Sequence, residues 1–82
     1  MNKVFMIIKT DCDGFYIEYA FSTLELANNK LLQIHEELVK KCKDYDDNYY
    51  RLTLGDACVD FWTYGEGRTT YCIFEKEIDE WK

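Results

Sequence analysis

An 82-residue chain with sixteen acidic against ten basic side chains, a formal net charge of −6, lacks the clustered Lys and Arg that hold a nucleic-acid backbone. At 48% hydrophobic and 17% aromatic residues it is too apolar to stay disordered, and it is too short for a second core. Residues 1–82 therefore read as a single domain.

No proline and no Gly/Ser-rich stretch marks a linker, and no repeat is visible. The opening apolar run at 1–8 is too short for a signal h-region or a membrane span, so the expectation is a soluble, cytoplasmic chain with no membrane contact. Cys12, Cys42, Cys58 and Cys72 stand far apart with no CxxC between them, which supports neither a zinc ribbon nor a thioredoxin-like motif. Reduced thiols are expected, and no metal or other cofactor.

In chain order, residues 3–21 have the form of a hairpin turning at Asp13-Gly14. With Cys12 opposite Phe15, one face carries Met6, Ile8, Ile17, Tyr19 and Phe21. The other carries Phe5, Ile7 and Tyr16, with Lys9 opposite Glu18. The DxDG spelling at Asp11, Asp13 and Gly14 is no calcium loop, because Lys9 and Ala20 occupy positions where ligands are required.

Residues 22–43 read as an amphipathic helix. Ser22 is the expected N-cap, with Glu25 closing a capping box and Phe21 stapling onto Leu26. Leu24, Ala27, Leu31, Ile34, Leu38 and Cys42 form the apolar stripe. Glu36 and Glu37 are placed to meet Lys40 and Lys41 one turn on.

After an acidic loop at Asp44, Asp46 and Asp47, three strands form a meander with turns at Gly55-Asp56 and at residues 65–68. The expected register sets Leu52 opposite Val59 and Arg51 opposite Asp60, then Phe61 opposite Cys72 and Val59 opposite Phe74. The order is ββαβββ: an α+β domain, with one helix on one face of an antiparallel sheet of about five strands. On this pairing the helix covers Met6, Ile8, Ile17, Tyr19, Leu52, Val59, Phe61 and Phe74. The opposite face then exposes a stripe of large rings, and Tyr16, Tyr49, Arg51, Trp62, Tyr64 and Tyr71 become the candidate partner-binding residues.

Catalysis is not expected. Ser22, the sole serine, is assigned to capping, and His35, the sole histidine, sits at the edge of the helical stripe, where packing is its ordinary role. No phosphate loop, dinucleotide fingerprint or HExxH occurs. The second acidic cluster, Glu75, Glu77, Asp79 and Glu80, joins the loop at Asp44, Asp46 and Asp47 as a candidate acidic surface. Projecting together, these carboxylates would imitate a phosphate backbone and fill a basic groove; their ordinary role is solvation.

The opening pattern, Val4-Phe5-Met6-Ile7-Ile8, the Asp13-Gly14 turn, and a second strand leading into Phe21-Ser22-Thr23-Leu24-Glu25-Leu26-Ala27, resembles that of small phage and bacterial α+β proteins of uncharacterised role. It spans about half the chain and is similar to phage anti-defence inhibitors such as anti-CRISPR proteins. The resemblance implies inhibition of a host defence or nucleic-acid-handling protein by surface occupation, and it transfers no site residue. The sequence thus points to a non-catalytic interaction protein, homodimeric or bound to a host protein. The alternative is a module that sequesters a small nucleotide-like ligand against the aromatic face.

Overall fold

The computed structural model describes residues 2–46, 48–65 and 67–78. Its elements are β1 (Asn2–Asp11), β2 (Gly14–Phe21), α1 (Leu24–Lys41), β3 (Tyr50–Leu54), β4 (Cys58–Thr63) and β5 (Gly67–Ile78). The fold is the expected α+β arrangement, one helix on a five-stranded antiparallel sheet of order β2-β1-β5-β4-β3. β5, twelve residues long, joins the two hairpins by pairing with β1 on one side and β4 on the other.

The helical stripe packs as its periodicity requires: Ala27, Leu31, Ile34 and Cys42 are buried, and Leu38 packs against the core. Leu24, at the first turn, is exposed. The N-cap is Thr23, whose Oγ1 accepts from the Leu26 N–H at 3.2 Å. Ser22 therefore lies outside the helix and Glu25 sits one position too early for a capping box. At the other end the Cys42 N–H donates to the Leu38 carbonyl at 2.9 Å.

The helix covers Phe5 and Ile7 of β1, Tyr19 and Phe21 of β2, Leu52 of β3, Val59 and Phe61 of β4, and Tyr71 and Ile73 of β5. For β3 and β4 this is the expected face. For β1 and β5 it is the opposite one, so Met6, Ile8 and Phe74 lie on the helix-free side, while Phe5, Ile7, Tyr71 and Ile73 lie beneath the helix.

One bulge and one turn explain these differences. The first hairpin turns through Cys12 and Asp13, between paired Asp11 and Gly14; the Asp13 N–H donates to the Asp11 carboxylate at 2.9 Å, and Gly14 takes φ +136°, which only glycine adopts easily. That shift of two keeps parity, but a bulge follows between Ile7 and Ile8 on β1, with Glu18 as the extra residue on β2. Ile17 thus stays with Ile8, whereas Tyr19 and Phe21 cross to the side of Ile7 and Phe5.

The β3–β4 turn is longer than expected by two residues, pairing Leu52 with Phe61 and Arg51 with Trp62, so the faces survive though the partners change. The β4–β5 turn pairs Thr63 with Gly67, which takes φ +88°, where Tyr64 was expected opposite Thr69. That displacement is odd, and it reverses every residue of β5.

A second correction concerns the thiols. Cys58 and Cys72 face one another across β4 and β5, Cα to Cα 4.1 Å, and are joined as a disulfide. The flanking Ile73 N–H donates to the Ala57 carbonyl at 2.8 Å, which makes theirs the narrow, non-hydrogen-bonded pair that brings side chains closest. Cys12 and Cys42 are free. The expectation of a wholly reduced chain fails.

Candidate functional site

Antiparallel register converts the helix-free face into rows of side chains. From the open end of β4, the first row is Arg51, Trp62 and Arg68, one from each of β3, β4 and β5. The second is Thr53, Asp60, Thr70, Thr10 and Phe15, the third Cys58, Cys72, Ile8 and Ile17, the fourth Phe74, Met6 and Ala20, and the fifth Lys76 and Val4. Charge is confined to the two ends. The middle rows are apolar and uncovered, with Ile17 62% and Phe74 51% exposed and Met6 and Ile8 half-buried between them.

The polar end is a groove of about 540 Å³ lined by Asn48, Arg51, Thr53, Asp60, Trp62 and Arg68. Asp60 is held by Arg68, Nε to Oδ1 at 2.8 Å and Nη2 to Oδ2 at 2.6 Å, and accepts from Thr70 Oγ1 at 3.2 Å. The hydrogen bonds from Arg68 keep the Asp60 carboxyl below the usual aspartate value despite partial desolvation. The expected Arg51–Asp60 pair does not form, because the longer β3–β4 turn moves Asp60 opposite Thr53. The expected Lys9–Glu18 pair forms at 3.9 Å, on the helix side.

Of the candidate partner-binding residues, Arg51 and Trp62 stand together on the open face, and the Tyr64 ring meets Trp62 edge-on at 6.4 Å. Tyr49 lies beside them, since its carbonyl accepts from the Tyr64 N–H at 2.8 Å. Tyr16 and Tyr71 do not belong to this group. Both share the helix side with Lys9, and burial pushes the Tyr71 hydroxyl above its ordinary value. Sequence reasoning missed Ile17, Phe74, Met6 and Ile8 on the open face, and missed the pairing of Arg68 with Asp60. Gly67, three residues beyond Tyr64, was the available sign of a three-residue hairpin loop.

The acidic clusters are separated. Asp46 is tied to Tyr49, next to the Thr63–Gly67 end of the sheet, whereas Glu75 and Glu77 pair with Phe5 and Lys3 at the far end of β5. Eight or more residues of strand at about 3.3 Å each lie between them. Asp44 is exposed in the same loop as Asp46, and Glu75 is engaged by Lys3 at 3.1 Å. Asp47, Asp79 and Glu80 lie outside the described residues. The described carboxylates therefore form no single phosphate-like surface.

His35 is half-buried on α1, and no cluster of metal-ligating side chains occurs among the described residues. Nor is any described helix long and apolar enough to cross a membrane. Fold and surface together define an α+β domain with one face closed by its helix and the other open. No protein-family model matches the chain, and neither a curated protein nor a solved structure is significantly similar to it.

Proposed function

We propose that this chain is a non-catalytic interaction protein that works through the helix-free face of its sheet, and that a second copy of itself occupies that face. The observation that carries this reading is the block of Ile8, Ile17, Met6 and Phe74, spread over three adjacent strands with nothing of the described chain above it. An apolar block with polar margins on a small monomer is a docking surface.

A second copy suits the order of the rows. Consider a two-fold axis lying in the interface, across the strands and between the Met6 and Ile8 rows. It exchanges those two rows, so apolar side chains oppose apolar side chains. It also exchanges the Lys76–Val4 row with the Thr10–Thr70–Asp60 row, which brings the Lys76 ammonium of one copy toward the Asp60 carboxylate of the other. Aligned sheet packing at about 10 Å leaves room for these side chains to interdigitate. The net charge of −6 on each copy opposes pairing only weakly, because it is screened over about 8 Å at physiological salt.

Sedimentation equilibrium over a hundredfold concentration range tests the proposal. The wild-type chain is expected to approach twice its monomer mass as concentration rises, and Phe74→Asp to remain monomeric while keeping its far-UV spectrum. A wild-type chain that stays monomeric throughout overturns it.

A further inference from the structure

We infer that the groove beside Trp62 binds a small molecule made of a flat ring and one anionic group, a carboxylate or a phosphate. Its two arginines are not equivalent. Arg68 is committed to Asp60 through both ends of its guanidinium, so its charge is matched. Arg51, two strands away in the same row with Trp62 between, is exposed and makes no ion pair among the described residues. The described lining thus carries one unmatched positive charge, on a chain whose overall charge is strongly negative. A guanidinium fork receives a carboxylate or phosphate through two parallel hydrogen bonds.

Trp62 stands directly beside Arg51 in the register and lines the same groove. An indole next to an available guanidinium offers a stacking surface for a ring and an anchor for its anion. Asn48 and Thr53 add an amide and a hydroxyl that can meet polar atoms on the ring edge. A volume of about 540 Å³ falls within the range of small-molecule sites.

The matched Asp60–Arg68 pair has its own part. It walls the groove on the β5 side and holds a carboxylate where a ligand with more than one anionic group would be repelled. The site is therefore set for a single anion. The Arg51–Trp62–Arg68 row of the groove lies about 13 Å, two same-face rows, from the Cys58–Cys72 row, with Thr53 and Asp60 in the row between, and none of Met6, Ile8, Ile17 or Phe74 lines the groove. Pairing of two copies over the apolar rows brings the partner's Lys76 toward the Asp60 wall of the groove, so the groove is tested on dilute, unpaired chain, where the two proposals are separable.

The test is a titration of dilute, isotopically labelled full-length chain, following the indole N–H signal of Trp62 and the side-chain Nε–H signal of Arg51. The probes are adenosine 5′-monophosphate and indole-3-acetate, which carry ring and anion, against adenosine, with a ring only, and inorganic phosphate and acetate, with an anion only. At least one ring-and-anion probe is expected to saturate both signals with a Kd of about 1 mM or below, some tenfold tighter than the matching fragments. Which of the two binds distinguishes a phosphate-bearing ligand from a carboxylate-bearing one. Arg51→Gln should lose the binding and Arg51→Lys retain part of it, in chains whose remaining spectra are unchanged. The inference is overturned if neither ring-and-anion probe saturates below about 10 mM, if a fragment binds as tightly as the whole, or if Arg51→Gln binds as well as the wild type.

Discussion

Arg68 grips Asp60 with both ends of its guanidinium, at 2.8 and 2.6 Å, across neighbouring strands of the helix-free face. Because these bonds favour the ionised carboxylate, the folded-state pKa of Asp60 is depressed. A depressed carboxylate stabilises the fold fully above its unfolded value, about 4, and that contribution is lost as pH falls through the lower folded value. A carbon-detected titration should therefore place the Asp60 midpoint below that of an ordinary aspartate, and Arg68→Gln should return it toward the ordinary range. Asp60→Asn should flatten the acid limb of the stability profile.

The choice of face along β1 has a direct consequence for stability. Ile7 is 0% exposed and belongs to the cluster formed with Leu31, Ile34 and Val59. Ile8, its neighbour, faces away from the helix. In dilute protein, Ile7→Ala should cost about 3 kcal/mol in urea unfolding, whereas Ile8→Ala should cost about 1 kcal/mol or less. Equal costs would mean that the helix does not select between them.

These two isoleucines also mark what could and could not be read from the sequence. The helix was legible because Ala27, Leu31, Ile34 and Cys42 repeat at its own period, and those residues are buried. The faces of β3 and β4 were legible for a subtler reason: the turn between them was misjudged by an even number of residues, which changes partners without changing sides. The extra residue at Glu18 and the turn closing on Gly67 introduced odd displacements, and each reverses everything beyond it. The Arg51–Trp62 end of the site thus survived, while Tyr16, Tyr71 and the apolar rows were assigned to the wrong sides. The Cys58–Cys72 bond was hidden by the same displacement, since the pairing follows from register and not from spacing.

Helix capping separates two adjacent residues. Thr23→Ala removes the acceptor of the Leu26 N–H and should cost about 1 kcal/mol. Ser22→Ala, one position outside the helix, should change stability by less than about 0.5 kcal/mol. Chemical denaturation of the two variants side by side checks the assignment.

The disulfide closes a segment with a sequence separation of 14 residues. Replacing Cys58 and Cys72 together by serine should cost about 3 kcal/mol, in line with the chain entropy such a loop restores to the unfolded state. In the folded, unreduced chain an alkylating reagent should modify the exposed Cys12 quickly. Cys42 should react slowly, being buried with its thiol pushed above the ordinary value by desolvation. Mass spectrometry with and without prior reduction reads both outcomes.

The central claim, that a second copy covers the helix-free face, is tested most directly by isotope-filtered NOE spectroscopy on a mixture of labelled and unlabelled chains. The account predicts intermolecular signals from the methyl groups of Ile8, Ile17 and Met6 and from the Phe74 ring, with none from Ile7 or Val59. Intermolecular signals arising instead from the exposed helix residues Leu32 and Val39, or no intermolecular signals at concentrations of about 1 mM, would contradict it.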